Sequence, residues 1–189
     1  MSERFLVIAA ARSETRYLPD DVEVVITGLG KTAAAIATTR ALAERGEAGR
    51  EGLTVVNLGS CGALRPGLRG VFEPGVVLNH DISADAIRAL GHDVRERLDV
   101  GAGDPELVLA TGDLFVSDAQ VRDALAERAS LVDMEGYAVV AACQAFDVPV
   151  RVVKHVSDDA DASAFDWATL VDTSARDLAA WFTANVSST

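Results

Sequence analysis

The sequence predicts one α/β domain, a three-layer sandwich with a mixed, mostly parallel central sheet flanked by helices. Three observations carry this expectation. Short runs rich in Val, Ile and Leu alternate with Ala-rich stretches of helical period, the pattern of strands covered by helices on both faces. The chain has 189 residues, of which 49% are hydrophobic, enough to fill a single core. The connectors 46–52 and 100–105 are turn-rich but too short to be domain linkers, so one domain is expected to span 1–189.

Taken in order, Phe5 to Ala9 reads as the first buried strand. The apolar run there is too short for a signal peptide's core and passes directly into Arg12-Ser13-Glu14. A second strand is expected at Val22 to Thr27, followed by a helix from Lys31 to Arg45 and a strand from Thr54 to Leu58. Gly75 to Leu78 and Leu107 to Thr111 are the next strands, and the polar segment between His80 and Asp99 is open to either a short helix or a loop. Helices at Ala119 to Arg128, Gly136 to Phe146 and Trp167 to Asn185 alternate with strands at Ser130 to Asp133 and Val150 to Val156.

The formal net charge of -12 argues against a nucleic-acid groove or an anionic membrane surface, both of which need clustered Lys and Arg. No window approaches the roughly 18 apolar residues of a membrane span. A cytoplasmic protein acting on a small molecule is therefore expected. Cys61 and Cys143 lack CxxC spacing and read as buried free thiols rather than as a zinc site or a disulfide. The pairs His80-Asp81 and His92-Asp93 fit no helical i, i+4 ligand arrangement, so neither a metal nor another cofactor is predicted. His155, in the last strand, reads as a hydrogen-bonded wall residue.

The informative residues lie just past the buried runs. Asp133-Met134-Glu135 follows one strand and Ser157-Asp158-Asp159 another, while Glu14 follows the first. In open α/β sheets ligands bind in the crevice outside the carboxyl ends of the strands. Three carboxylates converging there suit acid and base roles, provided their environments hold them in different protonation states. Taken singly, each reads better as a surface carboxylate or a helix N-terminal charge; it is their joint placement that points to a site. Gly28-Leu29-Gly30-Lys31-Thr32 opens a helix but lacks the glycines of the Walker and dinucleotide motifs, where Val25 and Ala33 stand. It reads either as a turn whose N–H groups face an anion or polar substrate edge, or as a purely structural turn. Asn57-Leu58-Gly59-Ser60-Cys61-Gly62-Ala63 reads as a second Gly-rich turn, in which Gly59 permits close approach of backbone to a ligand and Ser60 presents its hydroxyl, or as a tight turn without a ligand.

These segments resemble the nucleoside phosphorylase and nucleosidase superfamily, and within it the 5'-methylthioadenosine/S-adenosylhomocysteine nucleosidases. The resemblance runs through GLGKTAAAIA at Gly28, VVNLGSCGAL at Val55, ATGDLFVSD at Ala110, VDMEGYAVVAACQAFDVP at Val132 and VSDDAD at Val156. It implies the fold of that superfamily, a homodimer, and hydrolysis of the N-glycosidic bond of a purine nucleoside, most simply an adenine one. By position it implies that Asp158, supported by Ser157, protonates or hydrogen-bonds N7 of the leaving base, while Glu135 holds the ribose hydroxyls and Met134 packs on the sugar. Glu14, helped by Ser60, would activate water. Phe115 would stack on the base and the Val116 backbone would meet its edge.

The chain also departs from its relatives. Asn57 stands where phosphate-using members carry arginine, which favours water as the nucleophile over phosphate. Lys154 stands where the nucleosidases usually carry arginine and is expected at the site. Tyr137 replaces a small residue and is expected to narrow the cleft. The segment between His80 and Leu107 is shorter than usual, with His92 nearest to the position that reaches a neighbouring subunit's pocket. The rival readings are a phosphate-dependent purine nucleoside phosphorylase, a futalosine-type hydrolase and a nucleoside-binding sensor without turnover.

Overall fold

The computed structural model describes residues 4–186; residues 1–3 and 187–189 of the expected domain lie outside the described residues. The strands are β1 (Arg4–Ala9), β2 (Val24–Ile26), β3 (Leu53–Ala63), β4 (Gly70–Phe72), β5 (Pro74–Asn79), β6 (Arg97–Asp99), β7 (Asp104–Thr111), β8 (Leu131–Asp133) and β9 (Val150–Asp158). The helices are α1 (Lys31–Glu44), α2 (Gly46–Arg50), α3 (Ala84–Ala89), α4 (Ala119–Ala126), α5 (Gly136–Ala145) and α6 (Trp167–Asn185), with 3-10 turns at Arg12–Thr15 and Ala162–Asp166. The expected seven strands and four long helices are present. The open segment between His80 and Asp99 contains both a short helix and a strand.

All the strands form one mixed sheet in the order β2-β1-β3-β8-β7-β5-β6, with β9 also lying along β3 and β4 outside β9. The β1–β2, β1–β3, β3–β9, β5–β7 and β7–β8 pairs are parallel, and β3–β8, β4–β9 and β5–β6 are antiparallel. Strand alternation sorts the core between two helix layers. Ile8 and Val55 join a cluster with Ala34 and Leu42 of α1 and Val139 of α5, whereas Val7, Val56 and Val153 pack against Leu178 and Phe182 of α6. Helix α1 turns Ala34, Thr38, Ala41 and Leu42 inward, an i, i+4, i+7, i+8 stripe. A smaller cluster built on Val76, Leu78 and Ala110 is covered by Val121 and Leu125 of α4, whose start Asp118 caps by accepting from Gln120 N and Val121 N.

One expectation is corrected. Asn57 to Ala63 is not a turn but the second half of β3. Its backbone is held by β1 on one edge and β9 on the other as far as Asn57, then by β9 and finally β8, so the glycines continue the ladder. Their role is clearance. A Cβ on Gly59 would lie 3.0 Å from Glu14 Oε1, and one on Gly62 would lie 2.9 Å from Ala160 Cβ and 3.1 Å from Asp158 Oδ1. At that level β9 carries a bulge: Cys61 faces Val156, but Gly62 faces Asp158, so Ser157 is extra.

Candidate active site

A cavity of about 300 Å³ opens at the ends of these strands. Glu14, Ser60, Phe115, Val116, Met134, Glu135, Ser157 and Asp158 all line it, together with Ala10, Leu29, Cys61, Gly62, Leu114, Val132, Asp133, Ala164 and Phe165. The three carboxylates singled out in the sequence thus meet in one place although they come from three separate elements.

Glu14 is buried in the 3-10 turn that follows β1, where the chain leaves the sheet. Its Oε1 accepts from Ser60 N at 2.7 Å and Ser60 Oγ at 2.8 Å, and its Oε2 accepts from Ala11 N at 3.0 Å. An ionised carboxylate offers about four acceptor positions, so these three bonds fix the group and leave room for one more donor.

Glu135 lies at the step from β8 into α5, as the residue before the first helical one. Its Oε1 accepts from Gly30 N at 2.8 Å. Burial first, then the neighbouring Asp133 charge, push its pKa up to about 7, against the downward pull of Lys154 and the Gly30 N–H. Asp133 sits behind it and accepts from Thr111 Oγ1 at 2.6 Å and Gly136 N at 2.8 Å.

Asp158 ends β9 and is half-buried. Its Oδ2 accepts from Ser157 Oγ at 2.7 Å and its Oδ1 from Ala160 N at 2.9 Å. Those two bonds favour the ionised form, but burial outweighs them and, with Asp159 and Asp161 nearby, holds the carboxyl above the usual carboxylate range. Asp159 itself is turned away into a two-bond pair with Arg69, at 2.7 and 2.9 Å.

The mouth is apolar. The Phe115 and Phe165 rings are 5.7 Å apart and tilted by 54°, and Leu29, Leu114 and both rings remain largely exposed. Such edge-tilted aromatic pairs offer π-faces to a planar ring.

Several expectations need correction. Gly59 and Lys154 do not line the cavity: Gly59 stands behind Glu14, and Lys154, only 2% exposed, is drawn into the wall by a 2.9 Å ion pair with Asp133. Tyr137 does not narrow the cleft, because its hydroxyl donates outward to the Arg95 carbonyl. His92 is exposed and away from the cavity. In the Gly28–Thr32 turn the reading as a structural turn holds for three N–H groups, which are taken within the chain: Gly28 N donates to the Ala10 carbonyl, Gly30 N to Glu135 and Lys31 N to Asp113 at 2.7 Å. His155 is a wall residue as expected, bonded to Ser174 at 2.9 Å and Asp177 at 3.0 Å on the α6 side. Both cysteines are free and buried, and burial pushes Cys143 up to about 12 and Cys61 further.

Reading the sequence missed Leu29, Leu114 and Phe165. The signal for Phe165 was a single aromatic among small and acidic residues in the loop after Asp158. Among the described residues, no group of three or more His, Cys, Asp and Glu gathers as a metal site, and no helix is long and apolar enough to cross a membrane.

The family model of the Phosphorylase superfamily matches residues 83–186, which carry Glu135 and Asp158. The chain belongs to the Phosphorylase superfamily. Within the superfamily it is 29% identical over 167 residues to a 5'-methylthioadenosine/S-adenosylhomocysteine nucleosidase of Marinomonas, a match covering 76% of this chain and 70% of that one. It is 43% identical over 61 residues to an aminodeoxyfutalosine nucleosidase of Helicobacter pylori, which covers 31% of this chain but spans only 26% of that relative's length. A solved H. pylori nucleosidase mutant with 5'-methylthioadenosine in its active site superposes with a TM-score of 0.80, at 20% identity, covering 97% of this chain and 98% of that one. That superposition establishes the superfamily's α/β sandwich for this member.

Proposed function

We propose that this chain hydrolyses the N-glycosidic bond of a purine nucleoside, an adenine one such as methylthioadenosine or adenosylhomocysteine, and releases the free base. The observation that carries this reading is the meeting of Glu14, Glu135 and Asp158 in one cavity, each with a different set of bonds. Cleaving the bond builds positive charge on the ribose and negative charge on the base, so the site needs carboxylates at the sugar and an acid at the base.

Each role follows from a position. Asp158, held above the usual carboxylate range beside the Phe115 and Phe165 rings, donates its proton to N7 as the C1'–N9 electrons pass to the purine. Glu14 uses its remaining acceptor position for a water, takes that water's proton as oxygen attacks C1', and is kept aligned by Ser60. Glu135 accepts from the ribose hydroxyls, with Met134 beside it on the cavity wall. The Phe115 ring stacks on the base, the Val116 backbone meets its edge and Ser157 orients Asp158.

Water rather than phosphate is the nucleophile in this reading. Among the described residues no Lys or Arg lines the cavity, and Asn57, buried behind it, spends its amide N–H on the Ile8 carbonyl at 3.1 Å. A phosphate dianion placed among four acids without a fixed cation would be repelled. A homodimer acting in the cytoplasm belongs to the same proposal. Leu29 and Leu114 leave apolar area exposed at the mouth, and a monomer by sedimentation at micromolar concentration would count against the dimer. The segment shared with the aminodeoxyfutalosine nucleosidase favours one second reading, a futalosine-type hydrolase using the same three carboxylates.

The decisive experiment measures base release from methylthioadenosine, adenosylhomocysteine, adenosine, inosine and futalosine, with and without phosphate. Adenine release unaffected by phosphate is expected. Strict phosphate dependence with ribose 1-phosphate as product, or ligand-induced thermal stabilisation without turnover on any substrate, would replace hydrolysis with phosphorolysis or sensing.

A further inference from the structure

Lys154 has no part in the chemistry above, yet it is the bulkiest of the fully buried side chains among the described residues and it is a cation. Burying an ammonium is costly, and apolar residues of similar volume commonly replace a buried ion pair with no loss of stability. Packing alone therefore does not explain why a charge sits there.

Its surroundings do. Nζ is 2.9 Å from Asp133 Oδ2, the oxygen that also accepts from Gly136 N. The other Asp133 oxygen accepts from Thr111 Oγ1, whose own oxygen accepts from Tyr137 N at 3.0 Å. These bonds tie both ends of the turn that presents Glu135 and converge, with the Lys154 ammonium, on the Asp133 carboxyl group. The turn is also tightly packed: a Cβ on Gly136 would lie 2.7 Å from Leu109 Cδ2 and 3.0 Å from Asp133 Oδ2.

We propose that Lys154 is a positioning residue for Glu135: by neutralising Asp133 beneath the Asp133–Gly136 turn, it keeps the turn closed and lets Glu135 meet the ribose as a carboxylate. This rests on the reading of Glu135 as the ribose acceptor. A protonated Glu135 would carry a donor in place of part of its acceptor capacity and would serve two hydroxyls poorly. The charged groups acting on Glu135 are Asp133 from β8, Glu14 from the turn after β1 and Lys154 from β9, with the Gly30 N–H before α1. Lys154 is the cation in that set. Burial works against its charge, but Asp133, Glu135 and Glu14 together hold the ammonium's pKa above its ordinary value.

The test is a carboxyl ¹³C titration of the full chain labelled at glutamate, with the Glu135 resonance assigned by its loss in Glu135→Gln. The pH dependence of kcat/KM for base release is measured alongside. Lys154→Met is expected to raise the Glu135 midpoint by about one pH unit, a tenfold change in proton affinity, and to move the acidic limb of kcat/KM upward with it. Lys154→Arg should keep the midpoint near wild type, and the Asp133→Asn, Lys154→Met double variant should return most of the shift. A Glu135 midpoint that stays put in Lys154→Met overturns the proposal. If that variant does not fold, Asp133→Asn alone should lower the midpoint, and no movement there is equally fatal. A midpoint that moves as described in a protein that releases no base would leave Lys154's hold on Glu135 standing and remove the nucleosidase reading instead.

Discussion

The back wall of the cavity and its mouth are built on opposite terms. At the back, Glu14, Ser60, Asp133, Glu135 and Lys154 each have named partners at 2.7 to 3.0 Å, and all but Ser60 are buried. At the mouth, Leu29, Leu114, Phe115 and Phe165 are each at least 46% exposed and bonded to nothing polar. A rigid polar wall keeps donors and acceptors aligned without reorganisation during the reaction. An apolar rim selects by area and shape. Under the proposed hydrolysis, chemistry and substrate choice fall to different residues, and substitutions on the two sides should separate in kinetics.

The largest effect is expected at the acid. Asp158→Asn should lower base release by about 10²- to 10⁴-fold while the melting temperature changes little, because the amide oxygen still accepts from Ala160 N; unchanged turnover would exclude the acid role. Next is the wall's own cost in stability. The Glu135 pKa of about 7 lies above the ordinary 4.5, so the native state keeps a proton that the unfolded chain has already lost between those values. Stability contributed by that proton is present below pH 4.5 and is lost as pH rises to about 7, a change on the order of 3 kcal/mol at most. Urea midpoints at pH 5 and pH 8 should show this loss in the wild type and a smaller one in Glu135→Gln. The smallest effect belongs to the mouth. Phe165→Ala should raise KM roughly fivefold, about 1 kcal/mol of ring contact, with kcat altered much less. A loss confined to kcat would mean that the rim takes part in the chemistry.

What the sequence could reveal follows from how locally each feature is determined. Strands β3 and β9 are legible because burial on both faces makes them continuous Val-rich runs, and α5 because it is apolar almost all round. The three-residue strands β4 and β6 are not, since each exists only by pairing antiparallel to a neighbour distant in sequence. The three carboxylates were legible because they follow strands. Lys154 was misplaced because its depth is set by Asp133, 21 positions away, and the choice between the two readings of the Gly28–Thr32 turn stayed open because the acceptor of its Gly30 N–H, Glu135, lies 105 positions on. Phe165 has no periodic neighbours to announce it.

The extra residue in β9 doubles as the hydroxyl donor that holds Asp158. With Ser157 bulged out, Asp158 stands opposite Gly62, where the missing side chain leaves space for its carboxyl. Deleting Ser157 would leave Asp158 opposite Gly62 in a regular ladder, but without the hydroxyl that bonds its Oδ2 and without the extra local twist of the bulge.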